Sequence, residues 1–362
     1  MLKRAAALLL VCAGVGLGLS CTTTSSHYLY ATIPASSEIV EYREDPNSGV
    51  LTQLADSPIP AGQGVQAIVV HPSKKFLYTA NSGSTPTGNI SLFTISSAGS
   101  LTEVTPRTDV GSVPTLLAMD TAGTYLYVGN SVSNDISVFS INSSTGALTA
   151  VAQLSGPTAQ IGTTPLNMKL SPSGSSLYVT VQAGVGYIEV FPVSKGVIGR
   201  PTVGPFQTGT NPFGLVIDSS GKYLYTANTT DNSLSEFTIN SSNGSLTPLQ
   251  NSPIGQTYIS PVALLIDKSG KYLYVANQGS SNLSAYTIGS DGALTVLSTS
   301  PFGTGSNPSF ISMDPSGNYL FVGNQGSSAA VQSFSLQSST GTLTSVQSYS
   351  VPGTATSIAV TQ

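Results

Sequence analysis

Asp267-Lys268-Ser269-Gly270-Lys271-Tyr272-Leu273-Tyr274-Val275-Ala276-Asn277 decides the fold. A four-residue turn leads into a short aromatic and aliphatic run, and an asparagine ends it. Asp in the first turn position can accept backbone hydrogen bonds, and Gly takes the final bend. Asn tolerates left-handed backbone angles and bonds to its own loop. The turn returns at Asp120 to Gly123, Asp218 to Gly221 and Asp314 to Gly317, with variants at Ser171 to Gly174 and His71 to Lys74. The closing asparagine returns at Asn81, Asn130, Asn228 and Asn324, while Ile33 and Val181 break the pattern.

Three markers extend this stretch over the whole chain. An aromatic anchor stands at Tyr30, Tyr78, Tyr127, Tyr178, Tyr225, Tyr274 and Phe321, spaced by 47 to 51 residues. A second stands at Tyr42, Phe93, Phe139, Phe191, Phe237, Tyr286 and Phe334. A turn glycine stands at Gly49, Gly99, Gly146, Gly196, Gly244, Gly292 and Gly341. Each marker gives seven copies. In the second unit the strands read as Gln66–Val70, Phe76–Ala80, Ile90–Ile95 and Ser100–Val104, rich in β-formers and separated by Gly, Pro, Ser and Asn. Phe76, Tyr78 and Ala80 share one face of their strand and Leu77 and Thr79 the other. Both faces are largely apolar, so the sheet must be covered on both sides. A four-stranded repeat of this length predicts an all-β, seven-bladed β-propeller with antiparallel blades. Ser357–Thr361 reads as a first strand with no second, and Tyr28–Thr32 as a second strand with no first. Their pairing closes the ring and removes two free sheet edges.

Composition agrees. Of 362 residues, 8% are charged, with 12 Lys and Arg against 16 Asp and Glu. So thin a cationic supply argues against nucleic acid as a partner and against a coiled coil. The 37 Gly and 22 Pro fall well short of the quarter or more of the chain that marks low complexity.

Residues 1–20 read as a lipoprotein-type signal peptide. Lys3 and Arg4 precede an uncharged apolar run from Ala5 to Leu19, shorter than the roughly 20 residues of a membrane span. The run ends Gly18-Leu19-Ser20-Cys21, which resembles a bacterial lipobox. Cys21 is therefore the expected lipidation site, with an ordinary leader as the blander alternative. Residues 21–27 read as a tether and 28–362 as one propeller domain. Cys12 leaves with the leader, so no disulfide is expected. The expected location is extracytoplasmic, with the protein a monomer held to a membrane by its N-terminal lipid.

The repeats resemble the lactonase-type, YVTN-type seven-bladed propellers, which include 6-phosphogluconolactonase. Tyr274-Val275-Ala276-Asn277 and its siblings, the Asp-x-Ser-Gly turns, and Pro114, Pro165, Pro212, Pro261 and Pro308 ahead of first strands carry the resemblance over 28–362. It implies a site at the mouth of the central channel. There the family's enzymes place His and Arg beside the proline that opens a first strand, with an acid ending a nearby second strand. In this chain Thr115, Leu166 and Phe213 follow those prolines, and Asn130 and Asn228 stand where acids can be.

Lactone hydrolysis needs a group to activate water and donors for the oxyanion. The chain has two histidines, of which His71 reads as a turn residue and His27 as tether. Lys169 is the irregularity. It occupies a first-strand position held elsewhere by Val69, Ala118, Val216, Leu265, Ser312 and Ala359. Its bland reading is a lysine lining a wet channel near Glu189; its functional reading is an anion- or carbonyl-binding group. Arg107 and Arg200 are further cations that could reach a mouth. The expectation is a binding or scaffold propeller for a small sugar-derived ligand or a protein partner, with Lys169, Thr115 and Phe213 as ligand-binding candidates. No metal site and no cofactor are read from the sequence. The alternative is a divergent lactonase.

Overall fold

The computed structural model describes residues 27–361 apart from 84–86, 155, 157, 256–257, 327–329 and 352. Cys21 and the leader lie outside the described residues. Among the described residues there are strands and turns and no α-helix, arranged as seven antiparallel sheets. The sequence predicts this architecture correctly.

Each blade runs from an inner to an outer strand. Blade 3, for example, is built from Pro114–Met119, Tyr125–Asn130, Asp135–Ile141 and Leu148–Ala150, hydrogen-bonded in that order. The seven inner strands are Ser357–Val360 in blade 1, then Val65–Val70, Pro114–Met119, Pro165–Leu170, Pro212–Ile217, Pro261–Ile266 and Pro308–Met313. Each touches the next around the circle, and the last touches the first. This ring encloses the central channel. In five blades a second short outer segment adds a fifth strand, such as Ile254–Gly255 after Leu246–Pro248. Pro248 and Pro253 lack the N–H that an unbroken outer ladder would need.

Closure takes the expected form. Leu29, Tyr30, Ala31 and Thr32 pair with Val360, Ala359, Ile358 and Ser357. Tyr28 and Thr361 exchange bonds beyond the ladder, Tyr28 N–H to Thr361 Oγ1 at 3.0 Å and Thr361 N–H to Tyr28 O at 2.9 Å. Ile358 and Val360 are buried in the core shared with blade 7. The blade 1 strand begins at His27, so the tether reading runs one residue too far.

Two of the three sequence markers, the first aromatic anchor and the turn glycine, prove to be parts of one joint between blades. The tyrosine hydroxyl of one blade donates to the carbonyl of the turn glycine in the next. The pairs are Tyr30 to Gly99 (2.7 Å), Tyr78 to Gly146 (2.7 Å), Tyr178 to Gly244 (3.1 Å), Tyr225 to Gly292 (2.7 Å) and Tyr274 to Gly341 (2.8 Å). At the junction of blades 3 and 4, Gln153 Nε2 donates to Gly196 O instead, at 3.2 Å. Glycine is required for two reasons, seen at Gly292. Its φ is +87°, and a Cβ there would lie 2.3 Å from the Tyr223 ring. The turn aspartates also do what their type suggests: Asp267 Oδ1 accepts the N–H groups of Lys271 and Tyr272 at 2.9 and 2.8 Å.

Candidate functional site

The inner strands set what the channel offers. Lys169, Val69, Ala118, Val216, Leu265, Ser312 and Ala359 each lie directly opposite the anchor aromatic of their blade. They form one level of the ring, and Lys169 is its only charge. Lys169 is open to solvent in a blade whose second and third strands are buried at the same level. Its strand is the innermost of the blade, one of the seven that form the ring. Partial loss of solvent around it holds its ammonium below the ordinary lysine range. Among the described residues its ammonium makes no hydrogen bond or ion pair, so it is free for a ligand.

Glu189 is not its partner. Lys169 aligns with Tyr178 and then Val190, whereas Glu189 aligns with Val179 and then Met168. Alternation along a strand therefore puts Glu189 on the opposite face, two strands out. It lines a depression of about 250 Å³ with Pro201, Thr202, Val203 and Pro205 on the outer part of blade 4. Burial pushes its carboxyl up. Arg200 lines a smaller neighbouring depression, and Arg107 grips Glu103 through two bonds of 2.7 and 3.1 Å on an outer strand. Neither arginine joins Lys169.

At the end where inner strands begin, the register slips by one residue in blades 2 to 7. The bulged residues are Gln66, Thr115, Leu166, Phe213, Val262 and Ser309, and a bulge re-aims its side chain. Phe213 is 43% exposed and Thr115 half-buried, whereas Val262 is buried. The Phe213 carbonyl accepts a 3.0 Å bond from Asn167 Nδ2, linking blades 4 and 5. Lys169 lies about 10 Å along its strand from the bulge, at roughly 3.3 Å per residue. The structure thus places Thr115 and Phe213 at the rim and Lys169 deeper.

Asn130 and Asn228 are fully buried and structural. Asn130 Nδ2 donates to Asp135 Oδ1 (2.7 Å) and Ser137 Oγ (3.0 Å), and Asn228 Nδ2 donates to Ser233 and Ser235 Oγ, both at 2.9 Å. His71 is structural too, its ring nitrogens meeting Ser73 Oγ at 2.8 Å and Gly123 O at 2.9 Å.

Sequence reasoning missed one constellation. His27, Glu44 and Asp314 are all buried, and one donor atom of each lies within 4.8 Å of the others. His27 and Glu44 face each other across the first ladder of blade 1, and Asp314 comes from the turn after the inner strand of blade 7. The signal was present in the repeat. Two residues after the second aromatic anchor the other units carry Ile95, Ile141, Val193, Ile239, Ile288 and Leu336, and only blade 1 carries an acid.

The model of a protein family described as lactonase, 7-bladed β-propeller, matches residues 22–161 and 155–360. A 6-phosphogluconolactonase of Serratia proteamaculans (strain 568) is 27% identical over 172 residues, 46% of this chain and 52% of the relative. That of Blochmanniella pennsylvanica (strain BPEN) is 30% identical over 173 residues, 46% and 51%. The chain spans about half the length of the curated relatives it matches. Among solved structures, a candidate 6-phosphogluconolactonase from Bacteroides fragilis NCTC 9343 superposes with a TM-score of 0.79 at 20% identity, covering 94% of this chain and 99% of that one. The periplasmic gluconolactonase of Pseudomonas aeruginosa gives 0.76 at 19% identity, covering 93% and 99%.

Proposed function

Because the chain belongs to the lactonase seven-bladed β-propeller family, we propose that it is a ligand-binding member that takes a small anionic sugar derivative into its central channel. The observation that carries this reading is Lys169, an unpartnered cation on a ring level that is otherwise uncharged. In an enclosed space an anion gains more from such a charge than it would in water. Phe213 offers an exposed apolar face at the rim and Thr115 a hydroxyl, a combination suited to a sugar ring. Binding is favoured over hydrolysis because the rim lacks a histidine, an arginine and an acid beside the opening prolines. A leader of residues 1–20, with lipid anchoring through Cys21 outside the cytoplasm, belongs to the same reading. The mass of the mature N-terminus tests it, and an unmodified Cys21 defeats it.

One observation favours the second reading, hydrolysis of a sugar lactone. A lysine held below its ordinary range carries a larger neutral fraction, and a neutral amine can take a proton from attacking water. The names of the relatives point the same way. The experiment measures calorimetric binding and turnover with a panel of sugar lactones and their open-chain acids, comparing native protein with Lys169→Ala. Saturable binding that weakens tenfold or more in Lys169→Ala, without turnover above the uncatalysed rate, is expected. Turnover abolished by Lys169→Ala moves the assignment to hydrolysis. Equal affinity of both proteins for every compound overturns the role of Lys169.

A further inference from the structure

We propose that His27, Glu44 and Asp314 form a divalent transition-metal site that pins blade 1 to blade 7 at the ring closure. His27 Nδ1 and Glu44 Oε2 are 3.5 Å apart, too long for a hydrogen bond. Among the described residues neither Glu44 oxygen nor His27 Nδ1 has a hydrogen-bond partner, although Glu44 is 1% exposed and His27 8%. Asp314 is fully buried and accepts the Ser316 N–H on one oxygen and the Tyr319 N–H on the other, each at 2.7 Å. Each of its oxygens keeps a lone pair.

A buried carboxylate without a hydrogen-bond partner is costly, so either a proton or a cation neutralises this group. Lys74 and Lys268 act on His27 from a distance, but among the described residues neither forms an ion pair with the two carboxylates. One imidazole nitrogen and two carboxylates are a donor set suited to zinc, with a fourth position left for water. Tetrahedral ligands about 2.1 Å from an ion stand roughly 3.4 Å from one another, close to the His27–Glu44 separation. The Asp314 donor atom lies within 4.8 Å of the other two and would close in on a bound ion.

The repeat shows that the fold itself does not ask for these residues. The six other blades place an aliphatic side chain where Glu44 stands. They place Lys75, Thr124, Ser175, Lys222, Lys271 and Asn318, all exposed, where His27 is buried. Blade 1 departs from the repeat at two facing positions, and both departures supply metal-ligating atoms. An ion held here would join the blade shared by the two chain ends to the blade before it.

The test uses purified protein stripped with chelator, then supplied with zinc, cobalt or magnesium chloride. Expected are one tightly held zinc per chain, a d–d absorption band with cobalt, and little effect of magnesium. Zinc at about a hundredfold over its Kd should raise Tm by roughly 5 °C. Glu44→Ile copies the other blades, and it should fold without metal while losing the zinc response. Asp314→Asn should weaken the response, and His71→Asn should leave it intact. Absence of stoichiometric zinc in the native protein, or an undiminished Tm rise in folded Glu44→Ile, overturns the assignment.

Discussion

Gly292→Ala and Tyr225→Phe strike the same joint from opposite sides, and the structure sets the size of each effect. Alanine at 292 must hold a φ of +87°, which costs an L-residue about 1–2 kcal/mol. Its Cβ would also stand 2.3 Å from the Tyr223 ring, and forcing a methyl into such a core costs about 1–3 kcal/mol. The variant should therefore lose about 2–5 kcal/mol. Tyr225→Phe keeps the ring and removes the 2.7 Å bond to the Gly292 carbonyl. That loss is about 1 kcal/mol, rising towards 3 if the carbonyl stays dry and unpaired. Urea midpoints at unchanged slope report both losses. Displacing Gly292 already disturbs the bond that Tyr225 makes, so the double variant should lose less than the sum of the singles. Strict additivity, or a Tyr225→Phe variant as stable as the native protein, would refute the joint as described.

Three further outcomes follow from the same frame. Phe321 is the anchor without a hydroxyl, so Phe321→Tyr should supply a bond to the Gly49 turn and gain about 0.5–1.5 kcal/mol, read as a higher urea midpoint. Ile358→Ala, at a side chain 2% exposed in the closing strand, should lose about 2–5 kcal/mol and should speed unfolding. Lys169→Met should change the pH dependence of stability. The folded pKa of Lys169 is depressed, so the folded state binds fewer protons than the unfolded chain between that pKa and about 10.4. Native stability then rises with pH across this window. The advantage of Lys169→Met should be greatest below it and vanish above it; an advantage independent of pH would contradict the reading.

The fold was legible because a closed ring repeats its joints. Tyrosine anchor and turn glycine appear as separate markers because their partners lie 66 to 69 residues apart, one blade further along. Lys169 was legible as a charge on an uncharged repeat position. Its separation from Glu189 was not, because strand register decides which face a side chain takes, and Glu189 falls opposite Val179. His27 looked like tether because no turn precedes it in the sequence, yet its strand already pairs there with Glu44. Asp314 was rightly read as a turn residue. Its second role depends on blade 1 packing against blade 7, a contact between residues nearly 300 positions apart.

Sevenfold repetition turns single positions into internal controls. Six blades show what the fold uses at a given place, so a departure in the seventh separates the demands of folding from those of function. Lys169 and Glu44 are such departures, each replacing an uncharged side chain by an ionisable one, Glu44 fully buried and Lys169 partly stripped of water. Burying an unpaired charge destabilises, and an apolar side chain of similar volume is often neutral or better. Residues kept against stability are the pattern expected of functional positions. Lys169→Met and Glu44→Ile, each assayed near neutral pH in chelator and without ligand, should therefore be at least as stable as the native protein. Each should lose one response, the first to an anionic sugar derivative and the second to zinc. If both instead destabilise the free protein by more than about 1 kcal/mol, the two residues serve the fold after all, because changes of that size are the usual mark of a lost structural contact.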